Sequence, residues 1–229
     1  MFEQEINHHI QKHIISVLLY QKIARFSELR PPRTDTNLFS YHLKLLQKNT
    51  FVEKIEHGYT LSPRGLSYVD RVNADKLFVR RQPKIITMLL VQDGYGNILL
   101  QRRTKQPYID TWTLPYGKVH IDDNSVFDGA VREVTEKLGL DVVAPRHVGD
   151  AYIRVRADGM ILSSTLAHIC RFELEDYSET EYVWWCAPLN LHKYELAPAV
   201  ESIVTRSFFG DDFFFEEYTV DLEDSHGVA

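Results

Sequence analysis

GKVHIDDNSVFDGAVREVTEKLGL, residues 117 to 140, is the stretch whose reading decides the fold. Phe127, Ala130, Val131, Val134 and Leu138 recur at helical spacing, so an amphipathic helix from about Ser125 to Leu138 is expected, with its charges opposite the apolar stripe. On that helix Glu133, Glu136 and residue 137 share one face, about a turn apart. Three carboxylates there would make a site for a hard, oxygen-seeking Mg²⁺. The third position holds Lys137, whose ammonium inverts the local field. Lys137 is also spaced to pair with Glu133 as Glu-to-Lys at i,i+4, the favoured orientation, and such a pair competes with metal for the same carboxylate.

The flanks add weight. ILLQRRT (98 to 104) and TWTLPYGKV (111 to 119) precede the helix. Together these segments resemble the Nudix family, whose signature is G-x5-E-x7-R-E-U-x-E-E-x-G-U with U a bulky aliphatic residue, over about residues 84 to 208. The match is incomplete. Counted forward from Gly117 the first signature acid falls on Asp123, and counted back from Arg132 it falls on Asn124, so the loop is one residue longer than the pattern. Lys137 stands where the last Glu belongs, and Tyr116 replaces the first Gly of the usual P-G-G.

The resemblance implies an α/β fold, a Nudix α/β/α sandwich around a mixed sheet. It implies Glu133, Glu136 and the main-chain carbonyl beside Gly117 as metal ligands, with Asp122 or Asp123 in place of the missing first Glu. Arg132 would orient the carboxylates, completing a catalytic set of Arg132, Glu133 and Glu136. Mg²⁺ is the implied cofactor if the altered site still binds metal. Arg102, Arg103 and Lys118 fall at the family's phosphate-facing positions, and cations recognise a diphosphate without metal. Trp112 and Tyr116, with Tyr108 and Tyr152, offer flat faces for a base. A catalytic base is sought among Glu173, Glu175, Asp176, Glu179 and Glu181.

Around the helix, KIITMLLVQ (84 to 92), the turn DGYGN and ILLQRRT predict a β-hairpin. HVGDAYIRV (147 to 155), MILSSTLAHICRFEL (160 to 174) and YVWWC (182 to 186) predict further strands, and Pro198 opens a closing helix through Phe208.

The first third of the chain has another pattern. Ile10, Ile14, Val17 and Leu18 keep helical spacing, Ser27 caps a short second helix stopped by Pro31 and Pro32, and Thr36 opens a third. In TNLFSYHLKLLQKN (36 to 49), Leu38, His42, Leu45 and Leu46 form the inward stripe, with His42 a core histidine; Asn37, Ser40, Tyr41, Lys44 and Lys48 face outward. FVEKIEHGYTLS (51 to 62) reads as a hairpin, and Pro63 starts a helix through about Val72. The order is similar to the winged helix-turn-helix of ArsR- and MarR-like regulators, over about residues 10 to 72. That resemblance implies DNA as partner, with Asn37, Ser40, Tyr41 and Lys44 toward base edges and Lys48, Lys54 and His57 toward the backbone. The alternative is a winged helix used only for dimerisation or docking.

At 229 residues, two domains are expected: 1–75 winged helix, 76–83 linker, 84–229 Nudix-like. Residues 1 to 82 hold 13 Lys and Arg against 8 Asp and Glu, and the remainder 13 against 24, giving +5 and −11. A basic first part suits a polyanion partner. The N-terminus lacks a signal-peptide pattern, nothing reads as a membrane span, and Cys170 and Cys186 lack metal-ligand spacing, so a cytoplasmic protein is expected. Two functions follow: a DNA-binding regulator sensing a nucleoside diphosphate metabolite such as ADP-ribose, with a homodimer one arrangement for it, or a Mg²⁺-dependent Nudix hydrolase carrying a nucleic-acid-binding module.

Overall fold

The computed structural model describes residues 6–72, 82–140, 145–174, 177–209 and 213–222. The chain divides into two compact units, Met1–Arg81 and Gln82–Ala229, and most of the expected linker 76–83 lies outside the described residues. No helix among the described residues is long and apolar enough to cross a membrane.

The first unit runs α1 (His9–Tyr20), α2 (Phe26–Leu29), α3 (Thr36–Lys48), β1 (Val52–Ile55), β2 (Gly58–Leu61) and α4 (Pro63–Arg71). Asp35 caps α3 by accepting from Asn37 and Leu38 N–H, and Ser62 caps α4 through Gly65 N–H, each satisfying donors that a helix start leaves open. β1 and β2 pair antiparallel, and Ala24 exchanges two backbone bonds with Tyr59 at the hairpin's far edge. Ile10, Ile14, Leu29, Phe39 and Leu46 are fully buried at the centre of this unit.

Two sequence expectations are corrected here. The inward stripe of α3 is Phe39, His42, Leu43 and Leu46, whereas Leu38 is exposed and Leu45 half-buried. α3 begins at Thr36 as expected; Phe39 and Leu43, which share a face with His42 and Leu46 at i, i+3, i+4, i+7 spacing, take the inward places given to Leu38 and Leu45. Ser27 does not cap α2: Arg25 stands at the cap, and its N–H donates to Glu28 Oε2 at 2.6 Å.

In the second unit, β3 (Lys84–Gln92) lies at the centre of a mixed sheet with β4 (Ile98–Arg102), β5 (Trp112–Thr113), β6 (Tyr116–Lys118), β7 (Arg146–Ala157), β8 (Met160–Glu173), β9 (Val183–Cys186) and β10 (Phe214–Asp221). β8 runs parallel to β3 and antiparallel to β7, and β10 runs parallel to β7 along the outer side. β10 is absent from the sequence expectations, since its FFEEYTVD mixes apolar and charged residues and reads as an exposed tail until β7 offers an edge. The closing helix α6 is Val200–Phe209, two residues later than Pro198 suggests.

Alternation along β3 sets the layers. Ile86, Met88 and Leu90 face one core with Val200, Ile203 and Val204 of α6; Leu89 and Val91 face the other with Ala130, Val134 and Leu138 of α5 (Val126–Leu138). A strand buried on both faces loses the polar alternation of an edge strand, which is why IITMLLV is continuous. The α5 stripe differs from its sequence reading: Phe127 is exposed, and Glu133 turns inward at 5 % exposure. Cys170 and Cys186 are free thiols, and burial pushes the Cys170 thiol up to about 12.

Candidate functional site

Ser125 Oγ accepts from Asp128 N–H and starts α5, which crosses β3 and β6 so that Glu133 lies beneath the strand turn. Gly117 is paired with Thr87 in the β6–β3 ladder, and a Cβ built on it would fall 1.6 Å from Glu133 Cδ. No side chain fits between the strand and that carboxylate, so position 117 requires glycine.

Arg132 organises the acids. Its Nε and Nη2 donate to Asp123 Oδ1 and Oδ2 at 2.9 and 3.0 Å, Nη2 also reaches the Lys118 carbonyl at 3.0 Å, and Nη1 donates to Glu133 Oε1 at 2.8 Å. A planar fork on a carboxylate is among the strong charge-assisted arrangements. The longer loop thus brings Asp123, not Asn124, to Arg132. The guanidinium and the His120 N–H hold the Asp123 carboxyl down at about 2, and the Asp123 and Glu133 carboxylates in turn raise Arg132. Glu136 is largely exposed, its Oε2 3.5 Å from Arg132 Nη1.

Lys137 Nζ lies 3.7 Å from Glu133 Oε2. Both oxygens of the buried carboxylate therefore face cations. Mg²⁺ takes a near-octahedral set of oxygens, several of them anionic or water. Here Asp123 is engaged by Arg132, Glu133 is held from both sides, and an ammonium occupies the third helix position, so this donor set does not fit Mg²⁺.

Two adjoining cavities open beside these groups. The one nearest Glu133 has a volume of about 450 Å³ and is lined by Arg102, Arg103, Lys105, Lys118 and Lys137 with Glu133 and Glu136. The second, about 560 Å³, is floored by Ile86, Met88, Ile153 and Val155, is walled by Tyr108 and Tyr116, and has no carboxylate among its described lining residues. Arg103, Lys105, Tyr116 and Lys118 line both. The result is one cleft with a cationic half and a half-apolar, aromatic half. Arg103 sits at the junction, bonded to the Tyr116 hydroxyl, with its guanidinium carbon 5.7 Å from the Tyr108 ring centre. Tyr108 Oη and Ser163 Oγ are 3.2 Å apart across the apolar half.

The structure separates the other residues named from sequence. Arg102 lines the cationic half but also pairs with Asp110 at 3.2 Å. Trp112 lines neither cavity: its ring packs on the α6-side core, edge-on to Tyr194 at 5.9 Å. Tyr152 is likewise elsewhere, with its hydroxyl accepting from Ser164 Oγ at 2.7 Å. Of the acidic loop, Glu175 and Asp176 lie outside the described residues; Glu179 accepts from Trp185 N–H at 3.1 Å, and neither it, Glu173 nor Glu181 lines the cleft. Lys105 and Lys84 were not foreseen as lining residues, because their loop and strand-end positions carry no periodic signal. In the first unit Asn37, Tyr41, Lys44, Lys48, Lys54 and His57 are exposed and Ser40 is half-buried.

A NUDIX domain family model matches residues 81–200. No curated protein matches the chain. Among solved structures, the MutT protein of Bacillus halodurans is 19% identical with a TM-score of 0.49, over 59% of this chain and 90% of its own. The NUDIX domain of Shewanella oneidensis NrtR, crystallised with ADP ribose, is 14% identical with a TM-score of 0.48, over 62% and 95%. A NUDIX hydrolase from Nitrosomonas europaea is 20% identical with a TM-score of 0.46, over 73% and 93%. With the family model spanning more than half its length across the β3 to α6 region, this chain belongs to the NUDIX domain family.

Proposed function

We propose that the chain is a DNA-binding transcriptional regulator whose NUDIX unit senses a nucleoside diphosphate metabolite with weak or no hydrolysis. The observation that carries this reading is Lys137 at 3.7 Å from Glu133, an internal cation where a metal site needs an acid. The cleft supports it. Arg103, Lys105 and Lys118 supply charge for a diphosphate, and the tyrosine-walled half suits a nucleoside. ADP-ribose is the ligand to try first, since it joins a base, two phosphates and a second polar sugar.

For the first unit, the order helix, helix, helix, hairpin, helix supports a winged helix-turn-helix reader. Asn37, Tyr41 and Lys44 lie along the exposed side of α3, with Ser40 at its margin, for a major groove; Lys48, Lys54 and His57 flank it for phosphates. Sensing requires the ligand to bind DNA-competent and DNA-incompetent states differently, by about 1–3 kcal/mol for ordinary coupling.

Arg132 bound to Glu133 and the glycine cradle at position 117 favour the second reading, a Mg²⁺-dependent hydrolase of nucleoside diphosphate-linked substrates with an accessory nucleic-acid module. One experiment separates them. Duplexes selected from a random pool by the full chain, with and without ADP-ribose and related diphosphates, should yield a defined operator whose retention changes with ligand; a repeated half-site would also report a dimer. Hydrolysis of ADP-ribose, NAD(H) or nucleoside triphosphates at enzyme-like rates with Mg²⁺ would refute the sensor reading.

A further inference from the structure

A second set of metal-ligating side chains lies away from the cleft, on β7 and β8. His147 Nε2 and His168 Nδ1 both contact Asp150 Oδ1, at 2.8 and 2.7 Å, and the three ligand atoms lie within 4.8 Å of one another. None of the three residues lines either half of the cleft.

The backbone is shaped to bring them together. In a regular strand, residues 147 and 150 point to opposite faces. A register shift between His147 and Gly149 makes Val148 an extra residue, so that His147 pairs with Cys170 and Asp150 pairs with His168. Partners 170 and 168 share a face of β8, so His147 and Asp150 now share one too. Gly149 permits the bulge to pack: a Cβ there would meet the Phe214 ring at 2.4 Å. Bulges commonly re-aim a side chain in this way. The Phe127 and Phe213 rings meet the His147 imidazole edge-on, at 5.8 and 5.0 Å, and orient it.

We propose that His147, Asp150 and His168 form a binding site for a divalent transition-metal ion of the zinc class. Two imidazoles and one carboxylate match the ligand preference of zinc and its first-row neighbours, and not that of Mg²⁺ or Ca²⁺, which take oxygen. The side chains are 18–26% exposed, so the ion enters from solvent and keeps an open position for water or an anion. An ionised Asp150 can only accept, so without metal each contacting imidazole nitrogen presents its N–H to it. On binding, a neutral imidazole carries its proton on the far nitrogen and a protonated one releases it. At zinc–ligand lengths of about 2.0–2.1 Å, a tetrahedral set spaces its ligand atoms about 3.3 Å apart, so each of the two His–Asp contacts opens by roughly half an ångström.

The test is titration of the EDTA-stripped full chain with Zn²⁺ by calorimetry and with Co²⁺ by visible absorption. The expected result is one equivalent per chain, absent in His147→Ala and in His168→Ala and retained in Glu133→Gln. Asp150→Asn, which keeps the shape of the cluster, should weaken binding by more than the roughly 10- to 100-fold that loss of an outer-shell partner costs. Failure of the wild type to take up stoichiometric Zn²⁺ or Co²⁺ would overturn the proposal, as would isotherms unchanged by the histidine substitutions, because the ion would then sit elsewhere. Should the alanine variants lose their circular-dichroism signature, Asp150→Asn decides, and unchanged affinity in it refutes the site.

Discussion

Replacing Lys137 by Glu tests whether that ammonium is what keeps the α5 acids from acting as a metal site. At 3.7 Å, a unit-charge pair is worth about 1 kcal/mol in water and about 4.5 kcal/mol at an effective dielectric of 20. The Lys137 side chain is 30% exposed, and pairs reaching solvent are measured near the low end, so about 1 kcal/mol is the appropriate figure. Lys137→Glu removes that attraction and adds a repulsion of similar size, a total cost of about 2 kcal/mol without metal. For a unit of this size the transition should fall by roughly 4–8 °C in EDTA. Trp112, Trp184 and Trp185 are the three tryptophans and all lie in the second unit, so their fluorescence follows it selectively. In the variant, Mg²⁺ relieves three converging acids and should restore the loss, since a ligand at a hundred times its Kd contributes about 2.7 kcal/mol. The wild type should show no comparable gain. Equal Mg²⁺ stabilisation of wild type and variant, or none in either, would refute the electrostatic account.

Gly117→Ala drives a methyl into the Glu133 carboxyl and should cost about 3 kcal/mol or more by denaturant unfolding, with most of the cost absent in a Glu133→Ala background. Asp123 has a folded-state pKa depressed to about 2, so its contribution is complete above about pH 4 and lost as pH falls toward 2. Acid titration of stability should show that loss in the wild type and not in Asp123→Asn; superimposable curves would remove Asp123 from the network. Arg103→Ala should weaken ADP-ribose binding about tenfold or more by calorimetry, whereas Trp112→Phe, off the cleft, should leave it within about twofold. Lys44→Ala should weaken binding to all duplexes alike and reduce the salt slope by about 1 if the lysine meets a phosphate; relaxed specificity at one base pair would instead place it on a base edge.

Much of the second unit was legible along the chain because its signals are local. An i,i+4 spacing sets Lys137 on Glu133 in any helix, and alternation with turn residues marks β7 and β8. The corrections fall where distant groups decide. The strand-forming tendency of FFEEYTVD has no meaning until β7 presents a free edge, and Trp112 resembles a ligand platform until its ring is seen against Tyr194. On α5, helical periodicity put Glu133 with the solvated charges. Only the close approach of Gly117 and the two flanking cations make an inward carboxylate stable there. On α3, Leu38 and Leu45 are as apolar as Phe39 and Leu43, and only packing into the first unit's core decides which pair turns inward.

By itself, the order of residues determined that a lysine replaces an acid on the NUDIX helix and that a basic first part precedes an acidic second. Those are consequences of composition and of fixed helical spacing. Tertiary structure alone decided that Asp123 closes onto Arg132, that two tyrosines and six lysines and arginines border one cleft, and that a bulge at Val148 turns His147 toward Asp150 and His168. Each of these joins segments well apart in the chain or depends on strand register, and register is set by packing across the whole sheet.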